Sequence, residues 1–108
     1  MDAQLKRGLL EMCVLAELCR GESYGYRIQK DISGYISLSE SALYHILKRQ
    51  EQAGQVEARS VEHDGRLRRM YSITASGRQR LMEFRDEWRQ AMKAFEFIEG
   101  AAGYDDEE

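Results

Sequence analysis

Between Ala75 and Ile98 the residues Leu81, Phe84, Trp88, Met92, Phe95 and Ile98 recur at intervals of three and four. That spacing marks one face of an α-helix, here roughly 36 Å long at 1.5 Å per residue. A chain of 108 residues has room for one modest core. One apolar stripe of this length outruns what three short helices and a hairpin can cover. Large aromatics left in water over several turns would form an uncommon surface patch, and a second copy of the chain is the simplest cover. The competing arrangement folds this helix back over its own domain.

The preceding residues divide at glycines. From Leu5 to Cys19 the apolar residues fit helical spacing but spread over more than one face, so this helix is expected to be buried on two sides. Gly21 ends it. A second helix fits Tyr24 to Ser33, closed by Gly34. Tyr35 to Leu38 reads as a short β-prone connector. Ser37 or Ser39 can cap a third helix, with Glu40 spaced from Ser37 for a capping box. That helix runs to about Ala53, with Leu43, Ile46 and Leu47 inward. Gly54 stops it. Val56 to Glu62 then alternates as a strand, His63-Asp64-Gly65 makes the turn, and Arg68 to Ile73 returns. Asp-Gly between alternating runs is a strong hairpin signal. Thr74 is placed to cap the last helix.

The formal charge of −3 conceals an uneven distribution. Glu99 to Glu108 carries five acids and no base, whereas Tyr44 to Arg80 carries eight bases against four acids. A local basic surface, not the overall balance, decides whether a chain can hold phosphate. Hydrophobic residues make up 43% and charged residues 32%, as in soluble globular proteins. No apolar run approaches the ~20 residues of a membrane-spanning helix. The opening Met1-Asp2-Ala3-Gln4 lacks a signal peptide's pattern, so the expected location is cytoplasmic. Cys13 and Cys19 point to different sides of one helix, which disfavours an internal disulfide. They are expected to be buried thiols. Zinc would need more ligands than these and the two histidines, His45 and His63, so no metal or cofactor is expected.

Helix, helix, helix, hairpin, long helix is the order of a winged helix-turn-helix. The expected fold is therefore mainly α with a small β-hairpin, plus a long C-terminal dimerisation helix. The anticipated units are residues 1–74, 75–98 and an acidic tail 99–108. Ser23-Tyr24-Gly25-Tyr26-Arg27-Ile28, Leu43-Tyr44, Gly54, and Arg69-Met70-Tyr71-Ser72-Ile73-Thr74 followed by Gly77 resemble the PadR family of transcriptional regulators. The resemblance spans about Leu5 to Leu81 and looks like the compact branch with a single C-terminal helix. It implies a dimeric winged-helix repressor joined through its first and last helices, with Leu9 added to Leu81, Phe84, Trp88, Met92 and Phe95 at the interface. The chain departs from the family pattern where Ser41-Ala42 replaces Gly-Thr, and where polar Gln50 and Gln55 stand at usual aliphatic positions.

The expected partner is double-stranded DNA. Its contacts are placed on the third helix at Ser39, Ser41, Tyr44, His45 and Lys48, and on the wing at Arg66, Arg68 and Arg69. The planar fork of Arg can hold phosphate at two points. Tyr24 and Tyr26 are read as packing residues. Phe84, Trp88 and Met92 are also the expected contacts of a small aromatic effector, since flat ligands stack well on indole. Ordinary dimer core is the alternative reading of these three. No Gly-rich phosphate loop, metal spacing or supported Ser-His-Asp set points to an enzyme. Two rival readings stay open: a winged-helix module for protein interaction, and a ligand sensor with little DNA affinity.

Overall fold

The computed structural model describes the backbone of residues 1–106 and side chains through Ala101. Helix α1 (Ala3–Cys19) starts where the Asp2 carboxylate accepts from the amides of Gln4 and Leu5, at 3.1 and 3.0 Å. A two-residue strand β1 (Ser23–Tyr24) leads into α2 (Gly25–Ser33). Helix α3 (Glu40–Gln52) follows, then β2 (Val56–His63), β3 (Arg66–Ile73) and α4 (Ala75–Asp106).

Asp64 and Gly65, with φ of 51° and 76°, form the two-residue turn between β2 and β3. Positive φ at both central residues is the geometry that matches strand twist, and glycine adopts it without steric cost. The ladder runs antiparallel from Val56 opposite Ile73 to His63 opposite Arg66. The strands extend one residue further at β2 and two at β3 than alternation alone suggested. The wing also gains a third strand. Ser23 and Tyr24 pair with Tyr71 and Met70, giving the order β1-β3-β2. Tyr24 was expected inside the second helix; pairing to the free edge of β3 takes its backbone instead. Tyr35 to Leu38, the expected β-prone link, forms no strand. Leu38 is drawn into the core and Ile36 packs against it.

Core residues come from every early element: Val14, Leu15 and Leu18 of α1, Ile28 and Ile32 of α2, Leu43 and Leu47 of α3, with Val56 and Tyr71 from the sheet. Gln50, one of the family departures, is 4% exposed. Its Nε2 donates to the Glu11 carbonyl at 2.9 Å, tying α3 to α1, while its buried Oε1 has no partner. Cys13 and Cys19 are free but only half-buried, a correction to their expected full burial. Cys13 packs against the core without being enclosed by it, and Cys19 ends α1 with its Sγ 3.8 Å from Arg78 Nη1.

A clamp joins the two halves of the chain. The Thr74 hydroxyl accepts from the Gly77 amide at 3.1 Å and donates to the Gly54 carbonyl at 2.6 Å. The Thr74 amide donates to the Gln55 carbonyl at 3.0 Å. A Cβ at Gly77 would collide with that same carbonyl, so this part of the Thr-x-x-Gly pattern is a close-packing requirement.

From the clamp, α4 runs beside α1 and continues to Asp106, eight residues beyond the expected end at Ile98. Much of the anticipated acidic tail is thus helical, while Glu107 and Glu108 lie outside the described residues. Glycine in a helix costs only about 1 kcal/mol, and no proline interrupts this segment. No helix among the described residues is long and apolar enough to cross a membrane.

Candidate nucleic-acid interface

Tyr44 of α3 faces the wing across a groove of about 560 Å³, bordered also by Tyr24, Tyr26, His63, Arg66, Arg68 and Arg69, whereas Ser39, Ser41, His45 and Lys48 do not line it. Burying Leu43, Ile46 and Leu47 turns Tyr44, His45 and Lys48 outward, because residues on one helical face recur every three or four positions. Tyr44 is 46% exposed. Its ring lies over the start of α2, where a Cβ on Gly25 would come within 2.6 Å of its hydroxyl oxygen. Gly25 is therefore the seat of Tyr44.

The wing arginines are held differently. The Arg68 guanidinium lies 3.9 Å from the centre of the Tyr24 ring, and Arg66 is exposed at the turn. Arg69 instead reaches back to α3, with Nη2 donating to both Glu51 carboxylate oxygens at 3.0 and 3.2 Å. Those bonds raise the Arg69 pKa further. Burial pushes the phenol of neighbouring Tyr71 up, keeping it a neutral hydroxyl. All three wing arginines line the groove, but Arg69 also braces the wing against α3 through a charged pair.

The two serines also differ from a simple contact role. Ser39 is the N-cap of α3, its hydroxyl accepting from the Ala42 amide at 3.1 Å and lying 3.5 Å from the Ser41 hydroxyl. Ser37, the other possible cap, accepts from the Lys6 ammonium at 2.9 Å. Ser41 is exposed near the start of α3. Tyr24 does pack, under Arg68. Tyr26 does not: it is 70% exposed and borders the groove. Strand β1 holds Tyr24 against β3 while Tyr26 lies in the first turn of α2, so different elements place the two rings.

A second surface lies on α4. Leu81 and Phe84 pack against the core, and the Phe84 and Trp88 rings stack with centroids 5.8 Å apart at 15°. Beyond them Trp88, Met92, Phe95 and Ile98, with Leu5 of α1, line an open apolar trough of about 440 Å³. Leu9 is half-buried on α1. The stripe is therefore divided: its first part is covered by the chain's own core, and the rest faces solvent.

Residues 14–83 match the transcriptional regulator PadR-like family, from the middle of α1 into α4. A transcriptional regulator from Clostridium thermocellum superposes with a TM-score of 0.80 at 27% identity, covering 88% of this chain and 94% of its own. A Streptococcus mutans protein is 38% identical, with a TM-score of 0.76 over 83% of this chain and 85% of its own. Bacillus subtilis PadR, solved in complex with operator DNA, aligns with a TM-score of 0.66 at 27% identity, over 70% of this chain and 46% of its own. Sequence and backbone agree across the helices and the wing that shape the groove, and the chain belongs to the PadR-like family of transcriptional regulators.

Proposed function

We propose that this regulator is a homodimeric repressor that binds double-stranded DNA through α3 and the wing. The observation that carries the reading is the groove itself, where Tyr44, seated on Gly25, faces Arg66 and the Tyr24-braced Arg68. Tyr44, His45 and Lys48 reach base edges or phosphates from α3. Ser41 and the cap Ser39 lie at its leading end. Arg66 and Arg68 hold the backbone, and Arg69 with Glu51 fixes the wing's angle. Tyr26 joins this contact set from α2. The DNA complex of the Bacillus subtilis relative supports the partner class.

The apolar trough supports the dimer. The chain exposes 7931 Å², against about 6,200 Å² for a compact monomer of its mass. Pairing of Trp88, Met92, Phe95 and Leu9 with a second copy removes part of that excess. Two α3 helices related by a two-fold axis then enter major grooves about one turn apart, so the operator is an inverted repeat. Phe84, Trp88 and Met92 also suit a small planar aromatic effector, because the open side of the Trp88 indole offers a stacking face.

Selection of bound duplexes from a random pool, with light scattering of the free protein, tests this reading. The expected products are inverted repeats with half-sites roughly 34 Å apart, bound by a dimer. No retardation of any duplex at low salt refutes DNA binding and favours a protein-interaction module. A monomer at micromolar concentration refutes the trough as an interface.

A further inference from the structure

The wing occupies only one flank of α3. With about 3.6 residues per turn, Tyr44 and Glu51 share the flank that meets the wing, where Glu51 holds Arg69. Ala42 and Arg49 lie on the opposite flank, and there Arg49 Nη2 donates to the Glu11 carboxylate of α1 at 2.6 Å. Ser41, His45 and Lys48 project between the two flanks, all exposed. A hollow of about 420 Å³ opens on the Arg49 side, between the first turns of α1 and the start of α3. Lys6, Arg7, Ser37 and Arg49 rim it above the buried Leu10 and Ile46.

The cations of this rim are not equally free. Glu11 answers both arginines, accepting from Arg49 and lying 3.5 Å from Arg7 Nε. Lys6 is half-buried, and its ammonium donates to the Ser37 hydroxyl at 2.9 Å, its one partner among the described residues. Asp2, the acid nearest to it along the chain, is turned onto the amides of Gln4 and Leu5. An ammonium carries three donors, so two remain for incoming oxygens.

A helix with its side chains is about 10–12 Å across and the major groove about 12 Å wide, so residues on both flanks meet a wall of phosphates. We infer that Lys6, set in place by Ser37, grips the DNA backbone on the side of the groove opposite the wing. Arg66 and Arg68 take phosphates of one strand and Lys6 those of the other, which holds α3 from both flanks. The occupant is a DNA phosphate and not a protein carboxylate. Any duplex seated on the exposed face of α3 brings its second backbone to this rim, so the grip rests on the DNA contact proposed above.

Titration of Lys6→Gln and Arg66→Gln against one selected duplex at several ionic strengths tests the second grip. Lys6→Gln is expected to bind about tenfold more weakly per half-site at low salt. The slope of log affinity against log salt should fall by about 1 per half-site. Glutamine keeps a donor for Ser37, so circular dichroism should match the parent. A slope lowered in Arg66→Gln but unchanged in Lys6→Gln overturns the second grip and leaves the proposed DNA face standing. An unchanged slope in both refutes that face, and the grip falls with it. Neutral methylphosphonates, placed one at a time along the duplex, locate the contact. In Lys6→Gln one such replacement should no longer cost affinity, at a phosphate across the major groove from those silenced by Arg66→Gln. Silencing on the wing's side, or at no position, overturns the assignment. Ser37→Ala keeps the charge, so it should retain the salt slope while weakening binding; parent-like affinity overturns the positioning role of Ser37.

Discussion

Replacing Gly25 with alanine isolates the packing that aims Tyr44. The new Cβ would lie 2.6 Å from the Tyr44 hydroxyl oxygen, 3.0 Å from Cζ and 3.3 Å from Cε1, whereas ordinary contacts begin near 3.4 Å. The ring must therefore move by roughly 1 Å, more than a hydrogen bond of fixed partners tolerates. Folding should survive. Gly25 is helical without positive φ, alanine is a better helix former by up to about 1 kcal/mol, and the half-exposed ring can swing outward. Losing one net hydrogen bond to DNA costs about 1.4 kcal/mol, or about tenfold in affinity per half-site. Gel-shift titration would read this loss, and urea melts would show stability no lower than the parent's. In a Tyr44→Ala background the same glycine replacement should cost nothing further, because the two effects share one contact. Affinity within about twofold of the parent, or additive losses in the double variant, would refute the idea that Gly25 sets the reach of Tyr44.

Gln50→Leu removes a buried oxygen that has no partner, at the loss of one bond to a carbonyl already used inside α1. A stabilisation of about 1 kcal/mol is expected, raising Tm by about 4–8 °C in a thermal melt. Thr74→Ala removes both a helix cap and the bond to Gly54, and should lower unfolding free energy by about 1–2 kcal/mol in urea titration. Trp88→Ala should leave the winged unit folded by circular dichroism but shift light-scattering mass toward the monomer at micromolar concentration. Arg66→Gln should weaken binding to all sequences alike and lower the salt-dependence slope by about 1, read by titration at several ionic strengths.

Local chemistry carried much of this architecture. Apolar recurrence at three and four, the glycines after α1 and α3, and Asp64-Gly65 reflect dihedral and burial preferences that act within a few residues. They determined three helices, a hairpin and a long last helix, and turned Tyr44, His45 and Lys48 away from the core. The family pattern located the wing arginines, but position along a strand does not say what each guanidinium touches. Arg69 finds Glu51 and Arg68 finds Tyr24 only once the hairpin bends over α3 and β1. The third strand and Gly25 as a seat depend on residues far apart in the chain or on separate elements. Such contacts are decided by how helices and sheet stack, because neither partner's own spacing records the other's approach.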